Sequence, residues 1–325
     1  MKRSILTLGL FFVVVGLGLG IPVSQAQPFP NRPIQLIISN VAGAQSDVTG
    51  RILAEEMEKI LGVKIVVINK PGGSGTLGTD AVARSKKDGY TIGYSSAGGI
   101  VYARVMNPET VPYDPDKDLE HFGLHLFFPN VVVVQASSPW KNFGELIDDA
   151  RKNPNKIRVG TIGQGSIDSF NLEITQNLTG AQFTHVPFKG GESVTTALLG
   201  GHIEVAYDVF SKYLPHVQAG KVRILLITKK RPQSPDIPTM TELGYKQELP
   251  SVWMALFAPA GLPDDVKKAL VTAFEKATKN PESKAKIEAM GNIVDYRPPA
   301  EFRKIMIEDY ERAVTIAKQM GLRKP

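Results

Sequence analysis

Between Ile34 and Ser95 the chain alternates short apolar runs with stretches of helical period: strand Ile34 to Ser39, helix Val48 to Leu61, strand Lys64 to Asn69, helix Gly78 to Ser85, strand Tyr90 to Ser95. This βαβαβ order, with strands apolar on both faces, predicts a parallel sheet covered by helices on both sides. Asp47 stands where the first helix needs an N-cap, and Gly62 where it needs a left-handed residue at its end. Two glycine-bearing turns, Val41 to Asp47 and Pro71 to Gly78, each leave a strand and open a helix. Unpaired N–H groups and the positive end of the helix dipole make such turns cradles for carboxylates or phosphates.

The pattern restarts after a Pro/Asp-rich stretch, Asn107 to Asp118, and an apolar run, Leu124 to Gln135. Helices are expected over Phe143 to Lys152, Ile167 to Leu178 and Glu192 to Leu199. Strands are expected over Ile157 to Thr161, Phe183 to Val186, Ile203 to Asp208 and Val222 to Thr228. A second α/β domain follows from this restart. Beyond Pro250 come one strand, Val252 to Ala258, and three helices, Asp264 to Lys279, Pro281 to Met290 and Pro299 to Met320. A helical block without strands must pack on an existing sheet, and its expected place is the first domain. The chain then crosses between lobes twice, near Leu124 to Val131 and Ser251 to Phe257. The expected division is 27–127 with 253–325 for lobe 1 and 128–252 for lobe 2, with a hinged cleft between two α/β lobes.

Lys2 and Arg3, the apolar run Ile5 to Gly20 and the small-residue end Ser24-Gln25-Ala26 have the order of a secretory signal over residues 1–26, cleaved after Ala26. The chain has no cysteine, which excludes disulfides, thiolate metal sites, a cysteine nucleophile and a lipid-modified cysteine. Net charge is +6, or +4 without Lys2 and Arg3, with acids and bases interspersed. No basic stripe with interleaved aromatics suggests nucleic acid, and the mild positive excess favours small anions.

Gly73-Ser74-Gly75-Thr76-Leu77-Gly78 matches the dinucleotide pattern G-x-G-x-x-G. That fingerprint needs an acid at the end of the next strand, yet this one ends Tyr94-Ser95-Ser96, and the match falls on the second turn of the unit rather than the first. The reading is therefore a general anion cradle, with no cofactor. In the first turn, Ala42, Gly43 and Ala44 allow close approach, and Gln45 and Ser46 offer donors. Asp47 either caps the helix or touches the ligand. In the second lobe Thr161, Gly163, Gln164, Gly165, Ser166 and Ser169 form a similar strand-to-helix turn, where Ser166 or Asp168 caps the helix. Lys189 to Ser193 is a further helix start. His121 and His125 stand four apart but in no metal motif, and no G-x-S-x-G elbow or Walker lysine occurs. Asp208 ends an apolar strand, with a cap or hinge role beside a ligand-facing one.

Phe29-Pro30-Asn31-Arg32-Pro33-Ile34 resembles the opening of the tripartite tricarboxylate transporter receptors, or Bug proteins. Further resemblance lies in Asn69-Lys70-Pro71-Gly72-Gly73, Gly78-Thr79-Asp80-Ala81-Val82-Ala83, Asp88-Gly89-Tyr90-Thr91, Val186-Pro187-Phe188-Lys189-Gly190, Pro235-Asp236-Ile237-Pro238-Thr239 and Leu256-Phe257-Ala258-Pro259-Ala260-Gly261, in order along the chain. The resemblance implies a type II-like periplasmic binding protein, monomeric and non-catalytic, that closes on a small carboxylate and delivers it to membrane permease subunits. It implies that the turns Ala42 to Asp47 and Gly72 to Thr76 clamp one carboxylate, while Gly163 to Ser169 select the remainder. Ser95, Ser96 and Asp208 complete the candidate set. Three departures stand out: Ser39-Asn40 where Pro-Phe is usual, Ala44 for a second glycine, and Ser169 for a histidine. An exported enzyme acting on a carboxylate, or a sensor that presents its ligand to a signalling partner, are the alternatives.

Overall fold

The computed structural model describes residues 28–106, 108–163, 166–189, 191–319 and 321. The expected leader, residues 1–26, and Gln164 and Gly165 lie outside the described residues. The first half follows the expected order: β1 (Ile34–Ile38), α1 (Gln45–Leu61), β2 (Ile65–Asn69), α2 (Thr76–Ala83) and β3 (Thr91–Ser96). β1 pairs in parallel with β2 and β3. A π-helical turn, Gly98–Tyr102, then runs into α3 (Ala103–Met106). Short π segments are rare and recur at functional sites.

β4 (Leu119–Phe128) belongs to the first sheet, and Pro129 separates it from β5 (Asn130–Gln135) in the second. There follow α4 (Phe143–Lys152), β6 (Arg158–Thr161), α5 (Ile167–Thr179), β7 (Thr184–Pro187), α6 (Gly191–Leu199), β8 (Val205–Val209), α7 (Phe210–Gln218) and β9 (Val222–Ile227). β10 (Val252–Pro259) returns to the first sheet, followed by α8 (Asp264–Thr278), α9 (Pro281–Ala289), β11 (Ile293–Arg297) and α10 (Pro299–Gln319). The strand orders are β11-β4-β10-β3-β1-β2 and β7-β6-β8-β5-β9.

Three local expectations are corrected. The sheets are mixed rather than parallel: β10 runs antiparallel to β3 and β4, and β5 antiparallel to β8 and β9. Each is the strand that enters its sheet from the other one, and an apolar run carries no sign of direction. The C-terminal block supplies a strand of its own, β11, which pairs with β4 across a bulge. There Gly123 lets the Arg297 carbonyl approach where a Cβ would collide with it. α7 also went unread, because Pro215 inside it reads as a break.

Ala44, not Asp47, is the N-cap of α1. Asp47 occupies the third helical position and its carboxylate reaches back to accept the Gly43 N–H at 2.8 Å, which satisfies an orphan donor as a capping-box acid does. Gly62 and Gly180 take the left-handed conformation that ends their helices, with φ of 72° and 71°.

The two crossings are tied to each other. Asn130 and Thr228 exchange two bonds, N–H to Oγ1 and N–H to carbonyl, each 2.9 Å. Thr228 Oγ1 also meets Ser251 Oγ at 2.6 Å. One apolar core runs continuously from the first sheet through Tyr102 and Phe170 into the second, so the lobes share packed surface behind their cleft.

Candidate functional site

The site begins at the chain leaving β2. Gly72, Gly73, Ser74 and Gly75 have φ of 129°, 56°, 57° and 101°, four consecutive residues in the region that L side chains avoid. The cost for Ser74 is about 1–2 kcal/mol. The result is a tight turn of consecutive left-handed residues, the kind of backbone in which successive N–H groups form anion nests. α2 continues from it, adding its own helix dipole. Gly75 lies against Gly99 so closely that a Cβ on Gly99 would sit 3.0 Å from the Gly75 carbonyl. The π-helical turn is thereby locked to the cradle, and the Tyr113 hydroxyl donates to the Gly99 carbonyl behind it.

A cavity of about 600 Å³ opens over this cradle, a size suited to a small organic molecule. Its floor and near wall are Ser39, Asn40, Val41 and Pro71 to Thr76, with Ser96, Ala97 and Gly98 from the end of β3. Tyr102, Ala103, Met106 and Thr110 also line it, with Ile162, Ser166 and Ile167 from the second lobe and Val252 from β10. The Ser39 hydroxyl, buried to 2% exposure, has no hydrogen-bond partner within the protein, and neither has Asn40 Oδ1. The Ser39 hydroxyl lies against Gly78 of α2.

The chain matches the family described as "Tripartite tricarboxylate transporter family receptor" over residues 49–322. It belongs to this family. A Cupriavidus necator relative, "UPF0065 protein in gbd 5'region", is 32% identical over 99% of this chain and 98% of its own. A solved structure described as a periplasmic transporter is 30% identical, with a TM-score of 0.78, covering 91% of this chain and 99% of its own. An R. palustris protein solved with adipate is 25% identical, with a TM-score of 0.76, covering 90% of this chain and 98% of its own. The tripartite tricarboxylate transporter receptors are a solute-binding family and not an enzyme family, and these neighbours share the two-lobe fold seen here.

Within this receptor the cavity gathers Gly72, Gly73, Ser74, Gly75, Thr76, Ser96 and Ser166 from the expected site. Ala42, Gly43, Ala44, Gln45, Ser46 and Asp47 do not line it; the first turn contributes Val41 and the residues before it. Asp47 is committed to the protein. Burial opposes its ionisation, but hydrogen bonds from Arg51, the Gly43 N–H and Asn69 outweigh that and hold the carboxyl below the usual range. Gln45 bridges the lobes instead: its Nε2 donates to Asn292 Oδ1 and its Oε1 accepts from Ser211 Oγ, both at 2.7 Å. Gln45→Ala is expected to loosen closure by about 1 kcal/mol, seen as roughly fivefold weaker ligand binding and a larger radius of gyration in solution scattering.

In the second lobe Ser166 is the cap of α5, its Oγ accepting from the Ser169 N–H at 3.2 Å and donating to the Gly163 carbonyl at 2.8 Å. Ser166→Ala is expected to lower stability by about 1 kcal/mol in urea unfolding. Ser169 is buried and its Oγ donates to the Ser166 carbonyl at 2.8 Å, away from the cavity. Thr161 is buried and its Oγ1 meets His185 Nε2 at 2.7 Å. Ser95 accepts from Thr79 at 3.2 Å behind the cradle. His121 and His125 hydrogen-bond to the Pro115 carbonyl and the Tyr94 hydroxyl inside the first lobe, and burial pushes His125 down to about 3.

Asp168 and Asp208 lie buried under the second lobe's face of the cleft. Burial raises the Asp168 carboxyl well above the usual range, and the charge of Asp208 raises it further; Lys212 and a hydrogen bond from Asn130 Nδ2 oppose this. Asp208 is also raised by burial, against Lys212 Nζ at 3.2 Å. Neither lines the cavity.

The lining residues outside the expected turns are Ala97, Gly98, Tyr102, Ala103, Met106, Thr110 and Val252, while Val41 and Pro71 begin the two expected cradles, Ile162 and Ile167 fall at the second-lobe turn, and Ser39-Asn40 stand out in the sequence only as a departure from the family pattern. The π-helical segment carried no sequence signal, since Gly98-Gly99 opens no ordinary helix.

Proposed function

We propose that this chain is a non-catalytic extracytoplasmic receptor that closes lobes 27–127 with 253–325 and 128–252 over a small carboxylate. It then delivers the ligand, as a monomer, to the membrane permease of a tripartite tricarboxylate-type transporter. The observation that carries this is the four-residue left-handed turn at Gly72 to Gly75, which lines a cavity shared with residues of the second lobe. Thr76 and Ser96 add hydroxyls to the same cavity lining. The adipate held by the R. palustris neighbour supports a carboxylate as the anion. The described residues lining the cavity include no Asp, Glu, His, Lys or Arg. Export of the chain is supported by Lys2, Arg3 and the apolar run ahead of Ala26.

A thermal-shift screen of mono-, di- and tricarboxylates, aromatic acids and amino acids tests this on protein stripped of ligand by unfolding and refolding. At about 100 times its dissociation constant a true ligand adds about 2.7 kcal/mol, a shift of about 5–10 °C for a chain of this size. A screen in which no acid raises the Tm removes the receptor reading.

A further inference from the structure

Resting on the receptor reading above, we infer that Asp168 and Asn171 are positioning residues for ligand binding, which tie the cavity-lining start of α5 to both segments that cross between the lobes. Ser166, the cap of α5, and Ile167, its first residue, both line the cavity. The next side chain, Asp168, accepts from Asn130 Nδ2 at the first crossing. Three residues on, Asn171 Nδ2 donates to the Pro250 carbonyl at 3.0 Å, at the second crossing. Positions three apart share one face of a helix, so a single face of α5 holds both crossings. Asp168, Asn171 and Asn130 are each exposed by 1% or less.

The two ties belong to one buried network. Asn130 is bonded through its backbone to Thr228, whose Oγ1 meets Ser251 Oγ at 2.6 Å. Ser251 stands between Pro250 and Val252, and Val252 lines the cavity. Phe170, between the two ties in sequence, packs on the cavity-lining Tyr102 of the first lobe with ring centroids 5.5 Å apart. A ligand in contact with the start of α5 thus acts on both crossings through short buried side chains. Such bonds hold one arrangement, because a buried donor or acceptor left unpaired costs more than the bond itself contributes. Loosening either tie frees the start of α5 to move relative to Val252, and binding then has to order it again.

The test compares Asp168→Ala and Asn171→Ala, which each delete one tie, with Asp168→Asn, which keeps an acceptor for Asn130. Calorimetry with adipate on ligand-stripped mature protein reads the affinity of folded molecules, and urea unfolding reads stability separately; where adipate gives no heat, the acid with the largest Tm shift in the screen above replaces it. Each alanine variant is expected to bind about fivefold more weakly, the loss of one buried hydrogen bond, while Asp168→Asn stays within about twofold of wild type. Amide hydrogen exchange in the ligand-free alanine variants is expected to quicken at residues 130–131 and 251–253 as well as in α5.

Alanine variants that bind within about twofold of wild type but are less stable assign both side chains to the fold alone. That result, or exchange that quickens in α5 only, overturns the inference and leaves the carboxylate receptor standing. Asp168→Asn as weak as Asp168→Ala overturns the tie through Asn130. Should Asp168→Ala fail to fold, Asn171→Ala set against Asp168→Asn makes the same comparison. Failure of every acid in the wider screen overturns the receptor reading and this inference with it.

Discussion

Gly73→Val is expected to abolish ligand binding, with an affinity loss of at least a hundredfold, while the protein still folds. At φ of 56° a β-branched residue is strained by about 1–2 kcal/mol, and its Cβ would collide with Thr76 Oγ1 at the start of α2. Relief requires the turn to open. That spreads its successive N–H groups, and an anion held by such a nest loses most of its binding free energy when they diverge. The turn is at the surface, with Gly72, Gly73 and Ser74 exposed, so the cost to global stability stays near the local strain. Calorimetry checks the binding, and urea unfolding checks that the loss of stability is below about 3 kcal/mol. Wild-type affinity in the variant would remove the cradle from the site.

Asp168→Asn is expected to stabilise the protein by about 2 kcal/mol at pH 8, in the range seen when a buried charge is replaced, with an increase in Tm of about 4–8 °C. Asp168 and Asp208 are both raised, so the folded protein holds their protons more tightly than the unfolded chain does. The stability this confers is complete below about pH 4, the unfolded range, and is lost as pH rises through the folded values. Asparagine keeps an acceptor for Asn130 and removes the repulsion with Asp208, which stays paired with Lys212. The advantage of the variant should therefore shrink as pH falls from 8 toward 4 in urea unfolding. A variant less stable than wild type at pH 8 would show that the charge of Asp168 is needed in place.

Strand and helix existence was legible over most of the chain because the apolar periods are long and punctuated, as at Gly62 and Gly180. Strand direction was not, since the residues of β5 and β10 are apolar whichever way their neighbours run. β11 was too short and too polar at Asp295 and Arg297 to stand out between two helices.

The backbone of the second turn was legible because glycines at 72, 73 and 75 announce conformations that other residues avoid, and all three line the cavity. In the first turn the polar side chains are engaged within the protein, Asp47 by Gly43, Arg51 and Asn69, and Gln45 by Asn292 of its own lobe and Ser211 of the other. Sequence shows which donors exist but not which are already spent. The apolar half of the cavity comes from four separate segments, around Val41, Tyr102 to Met106, Ile162 to Ile167 and Val252, and only folding brings them together.

The most direct measurement is mass spectrometry of small molecules released by denaturing freshly purified wild-type protein and Gly73→Val side by side. The expected result is one small organic acid near one equivalent in wild type and none in the variant. No acid in wild type, or the same acid at the same level in both, would contradict a carboxylate receptor built on the Gly72 to Gly75 cradle.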